Sequence, residues 1–301
     1  MTQATDLSSV LAYDSFVLAI LLVLAATFDR DRAVDRSIFG LGVAGLLVSY
    51  VAWRLSTTLP EFGPSAHGVW AWTFAGLETM SIGYALLSIL ILSRSTNHTP
   101  AADLSEATLR KDRASGKTVP AVDVFICTYN EDLGILERTI QAALAIDYPN
   151  HTVWVLDDKR RGWLRDYCDD HGAKYITRTD NSGAKAGNLD NGLRITRELS
   201  NAPFILVLDA DFAPQRPILL RTLGLFDDPR VAVVQTPQFY YNADPVQHNL
   251  LAEHAWVDDQ RVFFDVFEPA RDAWDTAFCV GTSFVVRRSA LDLIAAFPKG
   301  R

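Results

Sequence analysis

The chain has 301 residues, room for about two domains, and a formal charge of −8. That acidic balance argues against nucleic acid as a partner, because phosphate backbones are gripped by basic faces. The three cysteines, Cys127, Cys168 and Cys279, are odd in number and far apart, which excludes a disulfide framework or a zinc pattern and suits a reducing compartment.

Three apolar segments occupy the first third, at residues 10–28, 38–55 and 69–92. Each approaches the roughly 20 apolar residues that span a bilayer, so 1–92 is predicted to be a membrane region of about three helices. A cleaved leader is a poor reading of the first segment, since it has no basic start and further spans follow. Arg30, Arg32 and Arg36 follow the first segment, and Arg94, Arg110, Lys111, Arg113 and Lys117 follow the third. The positive-inside rule then places the N-terminus outside and everything after Leu92 in the cytoplasm. Glu78, inside the third segment, is costly in lipid and is expected to face protein, bonding a neighbouring helix. Asn97-His98-Thr99 and Asn150-His151-Thr152 fit the glycosylation pattern, which has no consequence for a cytoplasmic segment.

Residues 93–120 are polar and read as a linker with one short helix at 104–113. From 121 to 301 short apolar runs alternate with helical stretches. Strands are predicted at 122–127, 152–156, 173–177, 204–208, 231–234 and 278–286. Helices are predicted at 133–145, 162–171, 188–199, 217–226, 246–264 and 289–296. This alternation implies an α/β domain built on a mostly parallel sheet covered on both faces. Ligands of such sheets sit beyond the carboxyl ends of the strands.

Four polar clusters fall at those ends. The first is Thr128-Tyr129-Asn130-Glu131, where a ring and a carboxylate can hold a base and a ribose. The second is Asp157-Asp158. In the third, Gly183-Ala184-Lys185-Ala186-Gly187-Asn188, a lysine flanked by glycines can approach a phosphate, and a helix start adds positive potential. The fourth, Asp209-Ala210-Asp211, ends the most apolar strand with two hard oxygen donors that can hold a divalent cation. Any one of these clusters by itself is as well explained by an ordinary turn; the four in succession point to a nucleotide-sugar site.

With these clusters, and with Val234-Gln235-Thr236-Pro237-Gln238-Phe239-Tyr240-Tyr241-Asn242, Asp244-Pro245-Val246-Gln247, Phe278-Cys279-Val280-Gly281-Thr282 and Val286-Arg287-Arg288, the chain resembles processive family-2 glycosyltransferases of the GT-A fold. The resemblance covers nearly the whole chain, including Arg54 to Pro60 and Glu78, and is closest to the bacterial cellulose synthase catalytic subunit. It implies a Rossmann-like α/β GT-A fold behind a transmembrane helical region. It implies that Thr128, Tyr129, Glu131, Asp157 and Asp158 hold uridine, that Lys185 meets the diphosphate, and that Asp209 and Asp211 bind Mg2+ or Mn2+ with UDP. Gln238, Phe278, Cys279, Gly281 and Thr282 would lie on the acceptor side. The implied reaction is inverting transfer of glucose from a UDP-sugar donor to a growing β-1,4-glucan, beside a lipid bilayer and accessory synthase subunits.

Two features depart from that family. The acceptor segment reads Phe-Cys-Val-Gly-Thr where cellulose synthases read Phe-Phe-Cys-Gly-Ser, which leaves the linkage open. The family's general base, in a Thr-Glu-Asp motif, is expected beyond Arg301, as is its Gln-x-x-Arg-Trp motif. Other readings are a curdlan, mixed-linkage glucan, chitin or hyaluronan type of synthase, a transferase of single sugars to lipid, or a non-catalytic UDP-binding membrane partner.

Overall fold

The computed structural model describes residues 7–29, 32–240, 242, 245–251 and 257–294. Arg30 of the orienting loop, Tyr241 and Asp244 of the motifs at 234–247, residues 252–256 of the expected 246–264 helix, and 295–301 lie outside them. The chain forms two compact units. One comprises Met1–Thr96 and Tyr240–Ala277, the other Asn97–Phe239 and Phe278–Arg301.

In the first unit, α1 (Leu7–Thr27), α2 (Ala33–Trp53) and α3 (Ala66–Leu92) are apolar helices. α2 with its π-helical extension Arg54–Thr58, and α3, are long and apolar enough to cross a membrane; Asp14–Thr27 is a shorter apolar stretch. Small residues allow these helices to approach closely. A methyl group on Gly42 would meet Leu21 at 2.5 Å, and one on Gly40 would meet Ile89 at 2.9 Å. Glu78 of α3 does face protein. It accepts from the Tyr50 hydroxyl and from Arg54 Nε (3.0 Å), while Arg54 Nη1 donates to Thr58 Oγ1 (2.6 Å).

The second unit begins earlier than the expected 121. The segment predicted as a linker holds a 16-residue helix, α4 (Thr99–Ala114). It packs down on the α/β layer through Ser105, which is buried and donates to the Leu220 carbonyl (2.6 Å). A methyl group on Gly224 would lie 2.6 Å from that hydroxyl, so the helix sits close. Next come β1 (Val122–Thr128), α5 (Leu133–Leu144), β2 (His151–Asp157), α6 (Gly162–His171), β3 (Lys174–Thr177), α7 (Ala184–Leu199), β4 (Phe204–Asp209), α8 (Ile218–Thr222) and β5 (Val233–Gln235). The chain then enters the first unit, where the described part of 240–277 forms a short helix, α9 (Pro245–Asn249), and a second helical run in which α10 (Asp259–Val262) continues through a π-helical turn, Phe263–Phe267, into α11 (Glu268–Asp272), not one helix over 246–264. Trp274 there donates to the Ile91 carbonyl (3.0 Å) and lies under the Arg94 guanidinium. The second unit closes with β6 (Phe284–Arg287) and α12 (Arg288–Leu293).

The six strands form one sheet in the order β3-β2-β1-β4-β6-β5. β1 pairs in parallel with β2 and β4, β2 in parallel with β3, and β6 runs antiparallel to both β4 and β5. Residues alternate between faces along each strand. Val122, Val124, Ile126, Leu206 and Leu208 face α5, α6 and α8; Phe125, Leu156, Ile205 and Val207 face α7 and α12. β1 and β4 are buried on both faces, which is why they read as unbroken apolar runs. On the α7 face the backbone of Gly192 comes so close that a methyl group would meet Leu156 Cδ1 at 2.8 Å.

Candidate active site

Five of the six strands run the same way, and their carboxyl ends form one rim of the second unit. β1 ends at Thr128, β2 at Asp157 and β4 at Asp209, with Thr128 in register with Asp157 and Cys127 with Asp209. The register itself therefore gathers three of the four clusters. The fourth arrives with α7. That helix starts at Ala184 rather than 188, with Gly183 at φ +72° as its cap, so Lys185 stands in its first turn.

Behind the rim the carboxylates are already bonded. Asp157 is fully buried and accepts from the backbone N–H of Lys159 (2.9 Å) and Arg161 (2.7 Å), from Arg161 Nη2 (3.0 Å) and from the Tyr175 hydroxyl (2.9 Å). Asp157 was expected to hold uridine; here it instead fixes the β2–α6 turn and reaches no surface, because burial forces a carboxylate to find partners inside. Asp158, buried as well, takes a two-pronged contact from Arg178 Nε (2.6 Å) and Nη2 (2.7 Å). Arg161 goes on to Thr128 Oγ1 (2.7 Å), which donates to Glu131 Oε2 (2.5 Å). Burial acts to raise the pKa of Glu131. The Thr128 hydroxyl, the Tyr129 and Glu131 N–H groups and Arg161 outweigh it and hold the carboxyl below its ordinary value.

In front stand the groups that can meet a ligand. Tyr129 is 54% exposed, with Lys159 Nζ 5.4 Å from its ring centre. Asp211 is exposed and without a hydrogen-bond partner among the described residues. Asp209 is half-exposed and bonded to the Lys185 ammonium, which also donates to the Gly281 carbonyl (2.6 Å). The acceptor-side segment is locked to the same place. The N–H of Asp209 donates to Thr282 Oγ1 (2.8 Å), and Gln238 Nε2 to the Thr282 carbonyl (3.3 Å). Gly281 (φ +92°) and Ser283 (φ +53°) give 278–283 a looped path, so β6 begins only at Phe284 and not at 278. Phe278 and Cys279 are left exposed on that loop.

The residues present suit a divalent cation. Among the described residues no three His, Cys, Asp or Glu side chains gather. Asp209 and Asp211 nonetheless offer hard oxygen donors, and a magnesium-type ion needs only one or two carboxylates when phosphate oxygens complete its shell.

The sequence reading missed Arg161, Arg178 and Gln235. The signal for Arg161 was its place four residues after a buried Asp. Gln235 donates to the Thr282 and Ser283 carbonyls (3.0 and 3.1 Å) and accepts from the Val280 N–H (3.1 Å), so it shapes the acceptor-side loop from the end of β5.

The three thiols separate by environment. Burial first, with Asp209 and Asp158 adding to it and Lys185 opposing, pushes Cys127 up to about 12. Burial, with Asp169 and Asp157, does the same for Cys168. Thiolate is the reactive form. At pH 8 the folded protein is therefore expected to react rapidly with an aromatic disulfide reagent at Cys279 and slowly at the other two, and at all three once denatured. Two or three fast thiols in the folded state would contradict the packing around β1.

The sequence profile of Glycosyl transferase family 2 matches residues 123–294, more than half of the chain. The cellulose synthase catalytic subunit of Pseudomonas fluorescens is 34% identical over 288 residues, 93% of this chain and 36% of that protein. Cellulose synthase 1 of Komagataeibacter xylinus is 35% identical over 286 residues, 93% of this chain and 18% of that protein. The chain thus spans well under half the length of these relatives. Among solved structures, the mannosyltransferase PcManGT from Pyrobaculum calidifontis, in complex with GDP-Man and Mn2+, aligns with 67% of this chain and 57% of its own at 21% identity, with a TM-score of 0.44.

Proposed function

The chain belongs to glycosyl transferase family 2, and from that premise we propose that its α/β unit is the donor half of a membrane-bound synthase that transfers glucose from UDP-glucose to a β-1,4-glucan. The observation that carries this is the convergence of Tyr129, Lys185, Asp209 and Asp211 on one rim, with the Phe278–Thr282 loop tied to the backbone of Asp209.

Tyr129 offers an exposed face to stack a uracil ring, and Lys159 beside it adds positive charge. Thr128, Glu131 and Asp157 act from behind, fixing the loops that frame the uridine, while Asp158 holds the 178–183 loop ahead of Lys185 through Arg178. Lys185 places an ammonium where a diphosphate would lie, and the N-terminal turn of α7 adds its dipole. A Mg2+ or Mn2+ ion held by Asp209 and Asp211 would neutralise charge on the leaving UDP. Gln238, Phe278, Cys279, Gly281 and Thr282 form the side from which the acceptor end of a glucan would approach. α1, α2 and α3 form about three spans of a bacterial inner membrane, which puts the N-terminus outside and the α/β unit in the cytoplasm, where UDP-sugars are found. The similarity to cellulose synthases supports glucose and the β-1,4 linkage.

The test has two stages. The purified chain in detergent, given Mn2+, should bind UDP and UDP-glucose and discriminate against GDP-mannose; absence of uridine-nucleotide binding would sink the reading. Inverted membrane vesicles carrying the whole synthase to which this donor half belongs, with labelled UDP-glucose, should then yield an insoluble product digested by a β-1,4-specific glucanase. A labelled product that resists the enzyme would keep the transferase and change the linkage.

A further inference from the structure

The loop at 178–183 that delivers Lys185 has little regular structure of its own. It ends on two consecutive residues in the left-handed region, Gly183 (φ +72°) and Ala184 (φ +44°), the second at a steric cost. Something must hold it. Its outer edge is tied by Asp180, which accepts from the N–H and hydroxyl of Ser182 (2.9 and 2.7 Å), and by Arg160, which donates to the Arg178 carbonyl and to Asn181 (both 3.0 Å).

The inside of the loop is filled by one side chain, the guanidinium of Arg178, 8% exposed. Two of its donors grip Asp158. Nη1 donates to the Ser182 carbonyl (2.6 Å), and Nη2 also donates to the Ala184 carbonyl (2.9 Å). Those two carbonyls bracket Gly183, the cap of α7, and the second belongs to the residue just before Lys185. The next turn leaves no slack. A methyl group on Gly187 would lie 2.0 Å from the Ser182 carbonyl oxygen and 2.6 Å from Arg178 Nη1.

We propose that Arg178 is a positioning residue of the donor site. It is anchored to β2 through Asp158 and acts through the Ser182 and Ala184 carbonyls to set where the Lys185 ammonium stands. The proposal rests on the reading of Lys185 as the diphosphate contact. A planar fork with fixed donors is what this role requires; a lysine at the same position would supply charge without the geometry.

The experiment compares binding of UDP with that of uridine, which lacks the phosphates, in the full-length protein with Mn2+. Arg178→Gln is expected to lower UDP affinity about 10-fold, a loss of the size of one charge-assisted contact. Uridine affinity should stay within about 2-fold. Arg178→Lys should not rescue the loss. In a Lys185→Met background, Arg178→Gln should cost less than about 2-fold more, because both changes remove the same contact. Gly187→Ala, which keeps both the Arg178 and Asp158 side chains but pushes the Ser182 carbonyl and Arg178 Nη1, should reproduce the UDP-selective loss and serves if Arg178→Gln melts the unit. Additive losses in the double variant, or equal losses for uridine and UDP, would overturn the proposal while leaving the donor-site reading in place. A wild-type protein that binds uridine but gains nothing from the diphosphate would overturn both.

Discussion

Asp211→Asn and Asp209→Asn are each expected to lower UDP affinity about 100-fold in the presence of Mn2+, yet to leave it unchanged or slightly improved in a chelator. The sign change follows from charge. Without a cation, an exposed carboxylate near a diphosphate is repulsive by at most about 1 kcal/mol at 4 Å, because water screens it. Asparagine removes that repulsion and keeps the shape. With a cation, each carboxylate contributes an anionic ligand that an amide replaces poorly. Asp211 is exposed and has no hydrogen-bond partner among the described residues, so its replacement should alter stability by no more than about 0.5 kcal/mol. Asp209→Asn takes the counter-charge from Lys185, but both side chains are more than a third exposed and water can substitute, so that effect should stay below about 1 kcal/mol. Calorimetric titration with UDP in both conditions decides. A 100-fold loss that persists in chelator would mean that the carboxylates grip the nucleotide directly, and the metal assignment would fail.

The strands at the centre of the sheet were legible because burial on both faces leaves only apolar residues to choose from. Residues 122–127 and 204–208 read as strands and are strands, each extended by one residue into the polar cluster that follows. Where polar groups decide the path, pattern fails. Phe278-Cys279-Val280 looks like the start of a strand, yet its backbone is held by the Gln235 side chain and turned by Gly281 and Ser283. Val246 to Phe264 has helical spacing, but its described residues fold as short helices in a unit whose partners are far away in sequence. The polar stretch 93–120 lacks an apolar period because α4 is anchored largely by polar groups, among them a buried serine hydroxyl and the ion pairs of Arg110 and Arg113 with Asp147. The site shows the same division. The residue types at the strand ends were readable from sequence. Which carboxylates face outward was not, because Asp157 and Asp158 are held inward by partners that the strand-end pattern does not reveal, Arg161 and Tyr175 for the first and Arg178 for the second.

The largest effect on stability is expected at the opposite end of the sheet. Asp123 and Arg288 form a buried pair there, with Nη2 to Oδ2 at 2.6 Å and side-chain exposures of 1% and 5%. Asp123 also accepts from Trp154 Nε1 (2.8 Å) and the Ser200 hydroxyl (2.7 Å). Arg288 also reaches the carbonyls of Ala202 (2.6 Å) and Leu193 (3.2 Å) and the Thr196 hydroxyl (3.1 Å). Burial pulls the pKa of Arg288 below its ordinary value, and Asp123 is the main group opposing it. The pair thus ties β1, β2, α7 and α12 together at the amino ends of the parallel strands. Asp123→Ala would leave a buried guanidinium without its counter-charge and the Trp154 indole N–H without its acceptor, at a cost of about 3 to 5 kcal/mol. Against a total stability of about 5 to 15 kcal/mol, that is a large share. Arg288→Met should cost a similar amount for the mirror reason. Asp123→Leu combined with Arg288→Met should cost much less than the sum of the two single losses, because no charge is then left buried. Hydrogen exchange of the β1 and β4 amides reads this unit separately from the membrane helices, and its protection should fall by roughly two to three and a half orders of magnitude in each single variant. A loss of less than tenfold would show that the pair contributes little. Because it sits at the far end of the strands from Tyr129, Lys185 and Asp209, the affinity of the folded fraction for UDP should stay at the wild-type value, which separates a loss of fold from a loss of site.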